Sequence, residues 1–126
     1  MSTELEHANV TVSDAVATAA WMTRLFGWKI RWDGPSLDGG RSIHVGSDTS
    51  YIALYQPARE TTPGASSYHI RGGLNHLAVT VSDIEAMETA VKKEGFVPEN
   101  HADYEPGKRF YFHDTDGIEY EVVQYD

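Results

Sequence analysis

Apolar and polar residues alternate over residues 5–12, with Ala8, Val10 and Val12 on one face and His7, Asn9 and Thr11 on the other. The alternation returns at 74–81, where Leu77, Val79 and Val81 oppose His76, Ala78 and Thr80. A period of two predicts strands with one face on a core and one on something polar. Ser13-Asp14 and Ser82-Asp83 come directly after the two strands, and their side-chain oxygens suit the free amides of a helix start. The first predicted helix offers Ala15, Ala19, Met22 and Phe26, with Trp21 and Leu25 alongside. In the second, Ile84, Met87 and Val91 form an apolar stripe while Glu85, Glu88, Lys92 and Lys93 face water. Gly27 and Gly95 end the helices, since glycine tolerates the left-handed position there.

Three short strands are predicted after each helix, near 28–33, 41–46 and 50–56 and then near 96–101, 108–113 and 118–125. The turn signals between them are Asp33-Gly34-Pro35, Gly39-Gly40, Pro106-Gly107 and Asp116-Gly117. The octets starting at His7 and His76 share six of eight residues. Later segments correspond as well, Leu54-Tyr55-Gln56 facing Val122-Val123-Gln124. The chain is therefore a duplication of one β-α-β-β-β module. Module 1 covers about 5–56 and module 2 about 74–126. The Pro-, Gly-, Ser- and Thr-rich stretch 57–73 is a linker of the length that serves as a lid, a dimer contact or a mobile loop. Either half of a 126-residue chain buries too little surface alone, so a single domain with a shared core is expected.

Composition narrows the function. Hydrophobic residues make up 40% and charged residues 23%, as in soluble globular proteins. A net charge of −9 argues against nucleic-acid binding. The absence of cysteine excludes thiolate nucleophiles and zinc-thiolate sites. Met1 to Glu6 lacks the regions of a signal peptide, and no apolar run is long enough for a membrane span. A cytoplasmic protein without membrane contact is expected.

With the apolar faces of the first strands under their helices, His7 and His76 project into the concave side of the sheet. Alternation in the last hairpin puts Ile118, Tyr120 and Val122 on the helix side and Glu119, Glu121 and Val123 on the histidines' face. Glu119, nearer the turn, is expected to be solvated and is the second choice as ligand after Glu121. Two imidazoles and a carboxylate suit Fe(II), Mn(II) or another divalent ion, and zinc with a bound water is also compatible.

The chain resembles the vicinal oxygen chelate superfamily, which includes glyoxalase I, extradiol dioxygenases, methylmalonyl-CoA epimerase and antibiotic-resistance proteins. The resemblance covers essentially the whole chain. It rests on Trp21-Met22-Thr23-Arg24-Leu25-Phe26-Gly27-Trp28 in the first helix, and on Asp114-Thr115-Asp116-Gly117 with Glu121 four residues beyond the glycine. It implies an α+β fold with a U-shaped, eight-stranded mixed sheet and helices on the convex face. It also implies a homodimer, a small-molecule substrate, and metal ligands at His7, His76 and Glu121, with a fourth position near Ala53. Ala53 departs from the glyoxalase I pattern, which has a second carboxylate there. Two histidines with one glutamate resemble the extradiol dioxygenase set instead, although those enzymes are usually longer chains.

Other candidates stand beside these ligands. Aligned through Ile43 and Phe112, His44 and His113 occupy matching places and suit general-base or donor roles, against a plain reading as strand-end histidines. Tyr51, Tyr55 and Tyr111 suit the lining of a cleft, with Tyr111 as a candidate catalytic partner. Arg41 and Arg109 suit a substrate carboxylate, though surface arginines are commoner. The expected function is a dioxygenase-like or lyase/isomerase-like enzyme using Fe(II), Mn(II), Ni(II) or Zn(II). The alternative is a metal-free protein that sequesters a drug-like ligand, as in the bleomycin-resistance type.

Overall fold

The alternation seen in the sequence becomes paired strands in each half. A computed structural model describes all 126 residues, and the chain divides into two compact units, Met1–Thr62 and Pro63–Asp126. The eight strands are shared equally between two four-stranded mixed sheets, one per unit, and the class is α+β.

In the first unit, β1 (His7–Thr11) is followed by α1 (Ala15–Phe26), β2 (Lys29–Pro35), β3 (Arg41–Gly46) and β4 (Tyr51–Gln56). The order across the sheet is β1-β4-β3-β2, with β1 parallel to β4 and the remaining pairs antiparallel. Asp14 caps α1 by accepting from the Ala17 amide at 3.0 Å, and the Gln56 side chain accepts from the Ala15 amide at 2.8 Å. Gly27, at φ 70°, closes the helix in the left-handed conformation. Ala15, Ala19, Met22 and Leu25 of α1 are buried, as are Val10, Val12, Ile43, Val45 and Leu54. Burial of each large aliphatic side chain of this kind contributes about 1.5–3 kcal/mol.

The second unit repeats the plan. β5 (Leu77–Thr80), α2 (Ile84–Lys93), β6 (Glu99–Tyr104), β7 (Gly107–His113) and β8 (Glu119–Tyr125) give the order β5-β8-β7-β6. The caps repeat as well. Asp83 accepts from the Ala86 amide at 3.1 Å, and Gln124 accepts from the Ile84 amide at 2.9 Å. Each last strand is therefore tied by a glutamine to the start of its module's helix. The core here is more aromatic: Phe112 stacks on Tyr120 at 5.1 Å and on Phe96 at 5.4 Å, with Val91, Phe110 and Val122 buried.

The predicted elements all form, with one displaced. β6 starts at Glu99 and not near residue 96. Phe96 is used as a stacking partner for Phe112, and Pro98 has no amide to give to a ladder. The stretch 57–73 contains no helix or strand. No helix is long and apolar enough to cross a membrane.

Candidate functional site

The strand registers define which positions of the two units correspond. Ala53 lies opposite Asn9 on β1 and His44 on β3. Glu121 lies opposite Ala78 on β5 and Tyr111 on β7. Ala53 and Glu121 are thus equivalent, and His44 corresponds to Tyr111. This corrects the alignment through Ile43 and Phe112. Ile43 pairs with Leu54 as Phe110 pairs with Val122, so the counterpart of His113 is Gly46, paired with Tyr51 as His113 is with Glu119. A Cβ on Gly46 would lie 2.3 Å from the Ser50 carbonyl oxygen, so that position in the first unit has no room for an imidazole.

The polar face of the second unit gathers ionisable groups. Glu121 is buried, with its side chain 9% exposed. Its Oε1 lies 2.9 Å from His76 Nε2, and its Oε2 accepts from Arg109 Nη1 at 2.9 Å. Arg109 is on β7, diagonal to Glu121 across the ladder, since its direct partner is Val123. Its guanidinium sits 4.8 Å from the centre of the Tyr104 ring, and its Nε and Nη2 are buried without a hydrogen-bond partner. Tyr111 meets the His76 ring edge-on at 5.6 Å. Burial, followed by the neighbouring Glu121 charge, raises the Tyr111 phenol above its ordinary range.

Glu119 is buried too, which corrects the expectation that it is solvated. Tyr68, from the stretch between the modules, donates its hydroxyl to Glu119 Oε2. His113 Nε2 lies 3.4 Å from Oε1, and His76 Nδ1 lies 3.8 Å from Oε2. The far side of His113 meets Glu99 at 2.6 Å. The Tyr68 phenol is pushed up to about 12, first by the hydrogen bond to Glu119 and then by burial. Nothing in the sequence singled out Tyr68. Its one signal was membership of a linker too long to be a bare connection.

Aromatic stacking dominates the corresponding face of the first unit. Tyr51 lies between His7 and His44, with ring centres 4.8 and 4.6 Å away and planes 13° and 23° apart. Trp32 continues the row at 5.2 Å from His44, and Arg31 lies 4.6 Å over Tyr51. Burial leads the factors that lower the His44 pKa, favouring the neutral ring. His7 Nδ1 is 2.8 Å from Glu6 Oε1, which also accepts from the Tyr51 hydroxyl at 3.2 Å. The bond from His7 is the largest factor holding the Glu6 carboxyl below its ordinary range. Tyr55 donates to the Leu37 carbonyl at 3.1 Å. Arg41 is engaged in a two-pronged pair with Asp33, at 2.9 and 2.6 Å.

Within each unit the candidates thus fall into groups. His76, Glu121, Arg109 and Tyr111 are together, as are His7, Tyr51 and His44, while Arg41 and Tyr55 are held by neighbours of their own. No group of three or more His, Cys, Asp or Glu side chains is arranged to hold a metal ion. The chemistry of the His76–Glu121 pair nonetheless suits a cation. His76 Nδ1 lies 2.6 Å from Asn75 Oδ1. A neutral ring that donates there turns the Nε2 lone pair towards a carboxylate oxygen 2.9 Å away. An imidazole nitrogen and a carboxylate oxygen side by side are donor types that a divalent ion accepts.

Comparison with known proteins places the fold. No curated protein matches the sequence. A glyoxylase/bleomycin resistance protein/dioxygenase domain from Frankia sp. EAN1pec is similar over 100% of this chain and 94% of its own, at 22% identity and a TM-score of 0.82. The genomically encoded fosfomycin resistance protein FosX from Listeria monocytogenes is similar over 100% and 96%, at 16% identity and a TM-score of 0.79. The antibiotic binding protein TnmS3 from Streptomyces sp. CB03234 is similar over 98% and 97%, at 17% identity and a TM-score of 0.71. At these identities the structures share the fold. The family model of the Glyoxalase/Bleomycin resistance protein/Dioxygenase superfamily matches residues 4–122, and the chain belongs to that superfamily.

Proposed function

We propose that the protein is a metal-dependent enzyme acting on a small oxygenated organic substrate, with a divalent ion held by His76, Glu121 and His7. The observation that carries this reading is the meeting of His76 Nε2 and Glu121 Oε1 at 2.9 Å. Support comes from FosX, which has been solved with Mn(II) and sulfate and, as a mutant, with Mn(II) and 1S,2S-dihydroxypropylphosphonic acid. Fe(II), Mn(II), Ni(II) and Zn(II) are the candidate ions. His7 is proposed as the third donor.

When bound, such an ion supplies Lewis-acid stabilisation to two vicinal oxygens of a substrate. The chain's own residues prepare for this. Arg109 occupies Glu121 Oε2 and leaves Oε1 as the donor oxygen. Asn75 fixes the orientation of the His76 ring. Tyr111, kept protonated by burial and the adjacent carboxylate, is a hydrogen-bond donor for a substrate oxygen. Both dioxygenase-like ring cleavage and lyase or isomerase chemistry next to a carbonyl are compatible with this arrangement.

A second reading, metal-free sequestration of an organic ligand, is favoured by the row Trp32–His44–Tyr51–His7, which offers flat aromatic surface. TnmS3 is named as an antibiotic binding protein. Elemental analysis separates the two readings. The purified protein is supplemented with each of the four ions and compared with His7→Ala, His76→Ala and Glu121→Ala. Stoichiometric metal in the wild type, lost in all three variants, is expected. Equally little metal in all four proteins removes the enzyme reading in favour of sequestration.

A further inference from the structure

Just before β5, residues 67–74 close on themselves. The Ser67 hydroxyl donates to the Leu74 carbonyl, and the Gly73 amide donates to the Ile70 carbonyl at 3.1 Å. Gly72 turns the chain at φ 83°. A Cβ on Gly73 would lie 3.1 Å from the Ser67 Cβ, so the two ends of the loop are packed together. A loop with tied ends and a base filled by its own atoms is a compact unit.

This unit meets the polar face of the second sheet beside His76. Leu74, at its end, is two residues before His76. At its other side the Tyr68 hydroxyl donates to Glu119 Oε2, the same oxygen that His76 Nδ1 approaches at 3.8 Å. Tyr68 therefore stands on the Nδ1 side of the His76 ring, while Glu121 faces Nε2. Glu121 and Tyr111 are near enough for their charges to act on the Tyr68 phenol.

Little else holds the loop down. Tyr68, Ile70 and Leu74 are 54%, 50% and 40% exposed, and a Cβ on Gly64 would have no atom within 4 Å. Segments with so little buried surface open at low free-energy cost. A single hydrogen bond, which changes an equilibrium about fivefold, then weighs heavily between open and closed forms.

We infer that residues 67–74 are a lid on the polar face of the second unit, latched by the Tyr68 hydroxyl on Glu119 and hinged at residues 63–66. Closed, the lid covers the Nδ1 side of His76 and limits the access of water. Open, it admits a ligand to His76 and Glu121. The use of what it covers rests on the metal reading above, but its closure needs no metal.

Two measurements on the metal-free, full-length protein test the lid. The chain has no cysteine, so spin labels are placed cleanly at Ile70→Cys on the loop and Lys93→Cys at the end of α2. Double electron–electron resonance is expected to give one narrow distance distribution, to which Tyr68→Phe adds a second population. In unlabelled protein, carbethoxylation by diethyl pyrocarbonate, followed peptide by peptide by mass spectrometry, reports access to His76. The ring is already 30% exposed in the closed form, so Tyr68→Phe is expected to speed its reaction about two- to fivefold. His101, which is bonded to Glu88, serves as the unchanged reference. Identical distance distributions with and without the Tyr68 hydroxyl show that there is no latch and overturn the inference. A second population with an unchanged rate at His76 shows that the loop does not cover the site, and overturns it equally. Neither readout involves a metal ion, so a failure of the lid and a failure of the metal reading are told apart.

Discussion

Arg109 Nη1 donates to Glu121 Oε2 at 2.9 Å from a diagonal position on the neighbouring strand, and both side chains are largely buried, at 13% and 9% exposure. Removing one member of such a pair leaves a charge in a poorly solvated place. Arg109→Leu is expected to lower stability by about 3–5 kcal/mol. The double variant Arg109→Leu/Glu121→Leu is expected to recover most of that loss, because no uncompensated charge remains. Urea unfolding of the wild type, both single variants and the double variant measures the coupling. Additive single losses would show that the two side chains do not act as a pair.

Tyr68 ties the stretch between the modules to the polar face of the second sheet through Glu119. Its phenol is pushed up to about 12, so the folded chain holds the proton more tightly than the unfolded chain, where a phenol titrates near 10. The stability contributed by this contact is therefore complete below about pH 10 and is lost as pH rises towards 12. Tyr68→Phe removes that alkaline loss and costs about 1 kcal/mol at neutral pH, the scale of one hydrogen bond. It is also expected to speed tryptic cleavage at Arg71, because local opening needs less free energy once the anchor is gone. Cleavage at the wild-type rate would show that Tyr68 does not hold this segment.

Asp114 belongs to the turn before β8 and not to the chemistry. Its Oδ1 accepts from the amides of Asp116 at 2.9 Å and Ile118 at 3.0 Å, and its Oδ2 accepts from the Tyr120 hydroxyl at 2.9 Å. Asp114→Ala strands three donors and is expected to cost about 2–4 kcal/mol. Burial raises the Asp114 carboxyl above its ordinary value of 3.8. The folded state therefore favours the proton, and its contribution to stability falls as pH rises above about 4. Asp114→Asn keeps an acceptor for both amides and loses that dependence. Thermal unfolding across acid to neutral pH should show the Asn variant gaining on the wild type as pH rises.

Alternation and end signals made the elements legible in the sequence, because a period of two and a capping aspartate are local properties. β3, predicted at 41–46, forms at Arg41–Gly46. Parity also placed Glu119 and Glu121 on one side of β8, since side-chain direction follows from spacing alone. Long-range properties were not legible. Glu119 is buried and accepts a hydrogen bond from Tyr68, 51 residues earlier in the chain, which no pattern within β8 reports. The His44–His113 correspondence failed because register depends on which residues pair across strands. An alignment of similar residues slipped by two positions without changing face. The residue type marks Arg109 as an anion partner, and no local pattern reports that Glu121 of its own sheet accepts from its Nη1.

The same registers show that the asymmetry between the units is larger than Ala53 alone. Arg109 pairs with Val123, and its equivalent, Ser42, pairs with Tyr55. Ser42 is buried and bonds to the Ser36 hydroxyl at 2.8 Å. The first unit therefore lacks both members of the Arg109–Glu121 ion pair. Adding the carboxylate alone places a charge at a position that is 2% exposed, with no guanidinium on the diagonal. Ala53→Glu is expected to destabilise by about 3–5 kcal/mol, the range for an uncompensated buried charge. In Ser42→Arg/Ala53→Glu the new arginine stands where Arg109 stands in the second unit, and it is expected to recover about half of that loss. Chemical denaturation of the two variants decides the matter. If the double variant is no more stable than Ala53→Glu, the two units do not share a common ion-pair position, and the registers alone do not make Ser42 the counterpart of Arg109.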